Sequence, residues 1–360
     1  MVEPNLTASH VAAIRSGDEA LDRGLRGPAL ELAILRDAGL LGAPLPVDDG
    51  GSGWGTSPDG ALPMLDVLVA LGGASLPVAR LYEGHANAIK LVAAFGSAKQ
   101  RERVAFAVHA GSLLGVWGAD GDTPVTVDDG QRLTGNKAFA SGVGDIGLAI
   151  VTAKSQGTLQ MVLVDATDAT RGRPESWDVD AMVGSRSGRF DCANLPAGDS
   201  ERLGQPDALF AEPAFHGGLW RLSACYAGAL GRIARLLAEL LDSRGLRSLP
   251  QTRHRLGLVA VEAEGALLWA TNACLAVELG EAASNHAVRA ALFSREAIEQ
   301  AADRALALCE RAAGTAMHRR TSELGRLARD LRFYLRQADL DGKLAMATEH
   351  WFNGDQACES

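Results

Sequence analysis

From Gln251 to its last residue the chain runs for 110 positions without a proline. Proline removes a backbone donor and clashes with the preceding turn. Its absence over such a length, with apolar residues recurring at three- and four-residue steps, points to long packed helices. Windows such as RLGLVAVEAEGALLWATNACLAVEL and SREAIEQAADRALALCERAAG carry that period. With the stretch from Pro206 to Leu241, the last third reads as a helical bundle.

The first third, Ser9 to about Gly111, has the same texture in ALELAILRDAGLLG and ANAIKLVAAFG, broken by the glycine-rich loop DDGGSGWG. Between the two, from Ser112 to about Pro206, short runs such as SLLGVWG, LAIVTA and LQMVLVDA are separated by Gly, Asp and Asn at strand-and-turn spacing. A helical protein gains little from a small sheet with edges to protect and its own core to fill. A ligand lodged between sheet and helices would give the insert a purpose; a merely structural insert is the other reading the pattern allows.

Composition narrows the function. The chain has 360 residues, 47% hydrophobic, enough for a substantial core in two or three units. Its 35 Lys and Arg against 44 Asp and Glu give a net charge of −9 with no basic run, so nucleic acid is not an expected partner. The apolar window Leu62 to Ala79 contains Asp66, Gly72, Gly73 and Pro77, so no membrane span is expected. MVEPNLTASH lacks the basic and apolar segments of a secretory leader, which makes the cytoplasm the expected compartment. Cys192, Cys225, Cys274, Cys309 and Cys358 show no CxxC spacing, which argues against a disulfide framework or a zinc site. The first four are expected as reduced packing residues and Cys358 as a tail residue.

Five local motifs in order carry a resemblance. LRDAGLLGAPLPVDDGGSGWG (Leu35 to Gly55), FGSAKQRERV (Phe95 to Val104), LTGNKAFASGVGDIGLAIVTAK from Leu133, MVGSRSGRFDCANLP (Met182 to Pro196) and RLARDLR (Arg326 to Arg332) resemble segments of the acyl-CoA dehydrogenase superfamily of FAD-dependent flavoproteins. The resemblance implies an α+β multidomain fold. It has an N-terminal helical domain (1–111), a middle β-barrel-like or sandwich domain (112–206) and a C-terminal four-helix bundle (207–360). It also implies FAD between the β domain and the C-terminal helices, an acyl-CoA or similar acyl thioester as substrate, and α,β-dehydrogenation with hydride transfer to flavin N5.

The site follows residue by residue. In the family's WIT strand motif the aromatic lies against the isoalloxazine and the threonine hydroxyl bonds N5; here Phe139, Ala140 and Ser141 stand in those places. Serine keeps the hydroxyl and phenylalanine the flat apolar face. The family's TEP--GSD loop corresponds to VWGADGDTP, so Val116, Trp117 and Gly118 fall at the pyrimidine end of the flavin and Thr123 near the acyl-CoA. Trp117 replaces a threonine and donates but does not accept. A neighbouring subunit grips the adenosine and pyrophosphate in the family. Arg244, Gln251 and Gly314 are the carry-overs, with Arg247, Arg253 and Arg255 as further phosphate partners and Glu310 where the family has a glutamine. A homodimer or homotetramer, or a hetero-oligomer with a homologous chain, is therefore expected.

The base is missing from both family positions. The YEGT glutamate falls at Ala338, with Asp339 adjacent and Asp341 nearby, and the alternative helix position falls at Arg221. Asp339 is the candidate base for a dehydrogenase. A monooxygenase or oxidase of the same fold on a non-CoA substrate needs no α-proton carboxylate, and FASG resembles that branch, with His350 as an acid or base. A catalytically silent subunit paired with an active homologue and a flavin-free scaffold are the other two readings.

Overall fold

The computed structural model describes residues 3–280, 285–336 and 339–354. Five helices come first: α1 (Ala8–Asp22), α2 (Ala29–Asp37), α3 (Ala61–Ala74), α4 (Leu76–Phe95) and α5 (Ala98–His109). Their starts are written locally. Thr7 with His10 and Ser97 with Gln100 form reciprocal capping boxes at α1 and α5, and the Ser75 hydroxyl caps α4 at the Val78 amide.

Among the described residues nine strands lie between Leu113 and Leu203: β1 (Leu113–Trp117), β2 (Thr126–Val127), β3 (Leu133–Thr134), β4 (Asn136–Ala140), β5 (Ile146–Ser155), β6 (Thr158–Asp165), β7 (Gly172–Arg173), β8 (Gly188–Asp191) and β9 (Arg202–Leu203). One sheet has the order β3-β2-β5-β6-β9 with β1 parallel to β5, and a second has the order β4-β8-β7. The β5–β6 hairpin closes on Gln156 and Gly157, both at positive φ (50° and 87°). Two such residues give the turn the twist its flanking strands require.

The C-terminal part contains α6 (Leu219–Ser243), α7 (Pro250–Glu278), α8 (Asn285–Ala313), α9 (Glu323–Tyr334) and α10 (Leu340–Gly354). Three long helices, α6 to α8, pack along one another, with α10 on α8 and α9 against α6. Helix α6 also crosses α3 backbone to backbone. A Cβ on Gly72 would stand 2.1 Å from the Cys225 carbonyl, and one on Gly228 would stand 2.0 Å from the Val69 carbonyl, so any side chain there forces the helices apart. The four described cysteines are free and buried, and Cys358 lies outside the described residues.

Helix α7 corrects the reading that no window is long and apolar enough to span a bilayer. It is long and apolar enough, by length and composition alone, to cross a membrane, and only 33% of its most apolar window is buried. Glu262 and Glu264 interrupt that run in the sequence and hide it there. Leu258, Val261, Leu268 and Trp269 are exposed along it, and Leu279 just past its end.

Two polar contacts fix the β domain against its neighbours. His85 on α4 is fully buried, its Nδ1 accepting from the Leu114 amide (3.1 Å) and its Nε2 2.8 Å from the Leu41 carbonyl. An amide must donate, so the proton sits on Nε2; burial holds the ring neutral, with its pKa pushed down to about 4. On the other side Asp330 of α9 accepts from the Met182 amide (2.8 Å), while Arg326 pairs with Asp18 (2.7 Å) and Arg329 with Asp22. Burial pushes the Asp330 carboxyl up to about 8, against the lowering effect of the Met182 amide.

Candidate functional site

Strand β4 pairs with β8 in register at Lys137↔Phe190 and again at Ala140↔Gly188, with a bulge between. The bulge puts Phe139 at φ +53°, a conformation that bulky residues rarely adopt. Its consequence is an aromatic ring turned outward, 61% exposed, while Ala140 beside it is fully buried. Phe139 meets Trp177 edge to face (5.8 Å, 89°), and Trp177 meets Phe333 of α9 the same way (5.4 Å, 86°). The aromatic set thus bridges the β domain and the C-terminal helices.

Ser141 follows at the strand end, half-buried, and accepts from the Ser187 hydroxyl at 3.2 Å. Ser187 lies 2.8 Å from the Ser185 hydroxyl, which donates to the Met182 carbonyl at 2.7 Å. With Ser187 supplying a proton to Ser141, the Ser141 O–H is left to donate elsewhere.

The Trp117 indole is engaged inside the protein. The residue is 2% exposed, packs at a tilt against Phe190 (4.7 Å, 48°) and donates its indole N–H to the Ser141 carbonyl at 3.0 Å. Its side chain therefore holds Ser141 in place from within the core. Gly118 and Thr123 are exposed. The Gly118 carbonyl accepts from the fully buried Lys137 (3.1 Å) and from Thr152 (2.9 Å), and Lys137 also pairs with Asp120 at 2.7 Å. Sequence reasoning missed Lys137; a charge at an inward position of an alternating strand was its signal. Val116, Trp117 and Ser141 do converge, on a recess of about 10 Å³ closed on its far side by Arg80, Leu81 and Gly84 of α4.

Neither base position holds an available carboxylate. Ala338 lies outside the described residues. Asp339 is exposed at φ +56°, and its carboxylate folds over Gly342, where a Cβ would stand 2.4 Å from Oδ1. Its carbonyl accepts from the Lys343 amide at 3.1 Å, so Asp339 starts α10 in the manner of a cap. Asp341 is exposed in the first turn of the same helix. His350 is half-buried where α10 lies on α8, its carbonyl taken by Arg289 at 3.3 Å, and it does not line the Ser141 recess.

At the other position Arg221 is 2% exposed and locked by Glu278 of α7 at 2.8 Å. It also donates to the Asn87 side chain (3.2 Å) and the Gly55 carbonyl (3.4 Å). Glu278 further accepts from Lys90 (2.6 Å) and from the Trp220 indole (2.8 Å). Burial raises the Glu278 carboxyl, but Arg221 and Lys90 outweigh it and hold the group below its ordinary value. Burial first, then the Arg221 charge, pushes the Lys90 ammonium down to about 8.

The residues expected to grip an adenosine lie at the far end of α6. Arg244 donates to the Ala313 carbonyl (3.1 Å), which brings it beside Gly314, at φ +60° with open space around it. Gln251 is exposed. Arg247 pairs with Asp242 (2.5 Å), Arg255 donates to the Arg311 carbonyl (3.4 Å), and Glu310, expected to bring a negative charge to the site, is matched by Arg332 at 2.6 Å. A broad open recess of about 740 Å³, lined by Arg247, Arg253 and Leu256 among others, lies there.

The sequence matches no family model and no curated protein. Solved structures do match. FMN-bound TdsC from Paenibacillus sp. A11-2, a dibenzothiophene monooxygenase, is 18% identical over 96% of each chain, with a TM-score of 0.83. Methanesulfinate monooxygenase MsuC from Pseudomonas fluorescens is 18% identical over 97% of this chain and 98% of its own, at 0.82. Butyryl-CoA dehydrogenase from Megasphaera elsdenii is 16% identical over 97% of this chain and 100% of its own, at 0.77.

Proposed function

On a chain with the acyl-CoA dehydrogenase fold, we propose that the Phe139–Ser141 strand end holds a flavin and that the protein is a flavin-dependent oxidoreductase of the monooxygenase type. The observation that carries this reading is the pairing of an outward aromatic face at Phe139 with a half-buried hydroxyl at Ser141. The two fit a planar ring with a polar edge. The open surface lies on the Phe139 side, since the recess behind Ser141 is far too small for a tricycle. FMN and FAD share that ring, and the FMN in the TdsC structure supports the smaller cofactor. The arginine-flanked recess near Arg244 supports FAD as the second reading, with the dinucleotide end reaching a neighbouring copy.

A bound flavin supplies two-electron redox chemistry and reaction with dioxygen. The chain does the rest. Ser141 offers a hydrogen bond to the ring edge, Ser187 and Trp117 fix its hydroxyl and backbone, and Phe139, Trp177 and Phe333 cover the ring side with apolar surface that sheds water. Oxygen insertion over α,β-dehydrogenation is favoured by the two base positions: a capping aspartate at Asp339 and an ion-paired guanidinium at Arg221 leave no carboxylate to take an α proton. TdsC and MsuC, both named as monooxygenases, support the same choice.

Titration with FMN and FAD, followed by flavin fluorescence, tests the reading. Saturable uptake is expected, and no uptake of either cofactor by the folded protein sinks it. Anaerobic addition of acyl-CoAs should leave the bound flavin oxidised; bleaching would restore the dehydrogenase reading.

A further inference from the structure

Behind Ser141, the far wall of the recess is α4. There Arg80 lies over Gly84, whose Cβ, if present, would stand 3.8 Å from Arg80 Nη1. A line of buried polar groups runs inward from this guanidinium. Arg80 pairs with Glu83, Glu83 accepts from Asn87, and Asn87 accepts from Arg221. Arg221 pairs with Glu278, which also holds Lys90.

The line carries three cations, Arg80, Arg221 and Lys90, against two carboxylates, Glu83 and Glu278. One positive charge is in excess, only partly solvated because Arg80 and Lys90 are each about a quarter exposed and Arg221 is buried. Arg221 Nε adds to the deficit, since it is buried and meets no acceptor among the described residues. The side chains of Glu83, Arg221 and Glu278 are 5% exposed or less, and the line reaches solvent at its two ends, Lys90 (26%) and Arg80 (25%), the latter beside Ser141.

Resting on the flavin reading of Ser141, we propose that this recess takes the anionic end of the substrate, a carboxylate or other small oxyanion, and that Arg80 is the residue that selects it. Glu83 uses one edge of the guanidinium fork, leaving donors for a second acceptor. A bound anion brings the line to neutrality. Leu81, Val116 and Ile146 supply apolar wall for the body of the ligand. At about 10 Å³ the recess is smaller than the roughly 30 Å³ share of one water in the liquid, so entry requires the flexible end of Arg80 to swing from over Gly84.

Calorimetric titration of the full chain with benzoate and with benzamide, which differ in one charged group, tests the proposal. Benzoate is expected to bind at least about tenfold tighter, a preference lost in Arg80→Gln and partly kept in Arg80→Lys. Equal binding by the unaltered protein overturns it whatever the variants do, and so does a benzoate preference that survives Arg80→Gln. Titrating the same samples with FMN separates the two claims. FMN uptake without a benzoate preference removes the anion site and leaves the flavin reading. A benzoate preference without uptake of FMN or FAD removes the flavin reading and leaves the anion site.

Discussion

Two regions of this molecule are rich in arginine, and they behave in opposite ways. Around Arg244, Arg247, Arg253 and Arg255 the cations are neighbours in sequence; Arg244, Arg247 and Arg253 are exposed, and Arg244, Arg247 and Arg255 are each held by a contact to a carbonyl or an exposed aspartate. Around Arg80 and Arg221 they come from different helices, are half-buried and fully buried respectively, and meet the buried Glu83 and Glu278. Proximity in sequence costs nothing and implies little. Burial of a charge is expensive, so each buried partner is there because another group requires it.

The sharpest way to break that comparison is to remove one carboxylate from each region. Glu278→Gln leaves the buried Arg221 and the half-buried Lys90 without their counter-charge and is expected to cost about 3–5 kcal/mol of stability in urea unfolding. Asp242→Asn, facing exposed Arg247, should stay within about 0.5 kcal/mol. Similar losses for the two would mean that the buried line is an ordinary set of ion pairs and that its excess charge has no bearing on a ligand.

A second test compares the hydroxyl with the base. Ser141→Ala removes one hydrogen bond at the ring edge and is expected to weaken flavin binding by about tenfold, in line with the 0.5–1.5 kcal/mol of a typical hydrogen bond. Ser141→Thr should bind nearly as well. Fluorescence titration reads both, and a Ser141→Ala variant that binds flavin as tightly as its parent removes this residue from the site.

What the sequence made legible follows the range of the interactions. The proline-free run, the capping residues and the turn glycines act within a few positions, and the helix, strand, helix order follows from them. Phe139, Ala140 and Ser141 are consecutive in the sequence, so their placement together at the end of one bulged strand follows from local structure alone. The line from Arg80 to Lys90 was not, because Arg221 and Glu278 stand 57 positions apart and Arg221 and Asn87 stand 134 apart. The partners of the Trp117 side chain were not legible for a related reason: the Ser141 carbonyl and the Phe190 ring lie across the β domain. Asp339 looked like a displaced base only while the start of α10 was unknown.

The two polar joints of the β domain predict opposite responses to pH. The Asp330 carboxyl, raised to about 8 by burial, keeps a proton that the unfolded chain releases near its ordinary value of 3.8. Its contribution to stability is complete below about pH 4 and is lost as pH rises toward 8. His85, lowered to about 4 by burial, refuses a proton that the unfolded chain takes up near 6.5, so its contribution is complete above that value and is lost on acidification toward 4. Asp330→Asn, whose amide oxygen still accepts from Met182, should flatten the alkaline limb of a stability profile and leave the acid limb alone. A profile unchanged on its alkaline side in that variant would assign the limb to another group.

The smallest effect is expected where a dehydrogenase would show its largest. Asp339 is exposed, folds over the first turn of α10, and faces neither Ser141 nor the recess behind it. Asparagine is as good a residue for starting a helix as aspartate, so Asp339→Asn keeps the turn and discards the charge. A base that removes an α proton cannot lose its charge without losing the reaction, whereas a cap can. With flavin bound, the rate of flavin reduction by any substrate that reduces the parent protein should therefore be unchanged in Asp339→Asn, and the melting temperature should shift by a degree or two at most. A fall of a hundredfold or more in that rate, with folding intact, would put the carboxylate back at the reacting carbon and require α10 to begin elsewhere when substrate is bound.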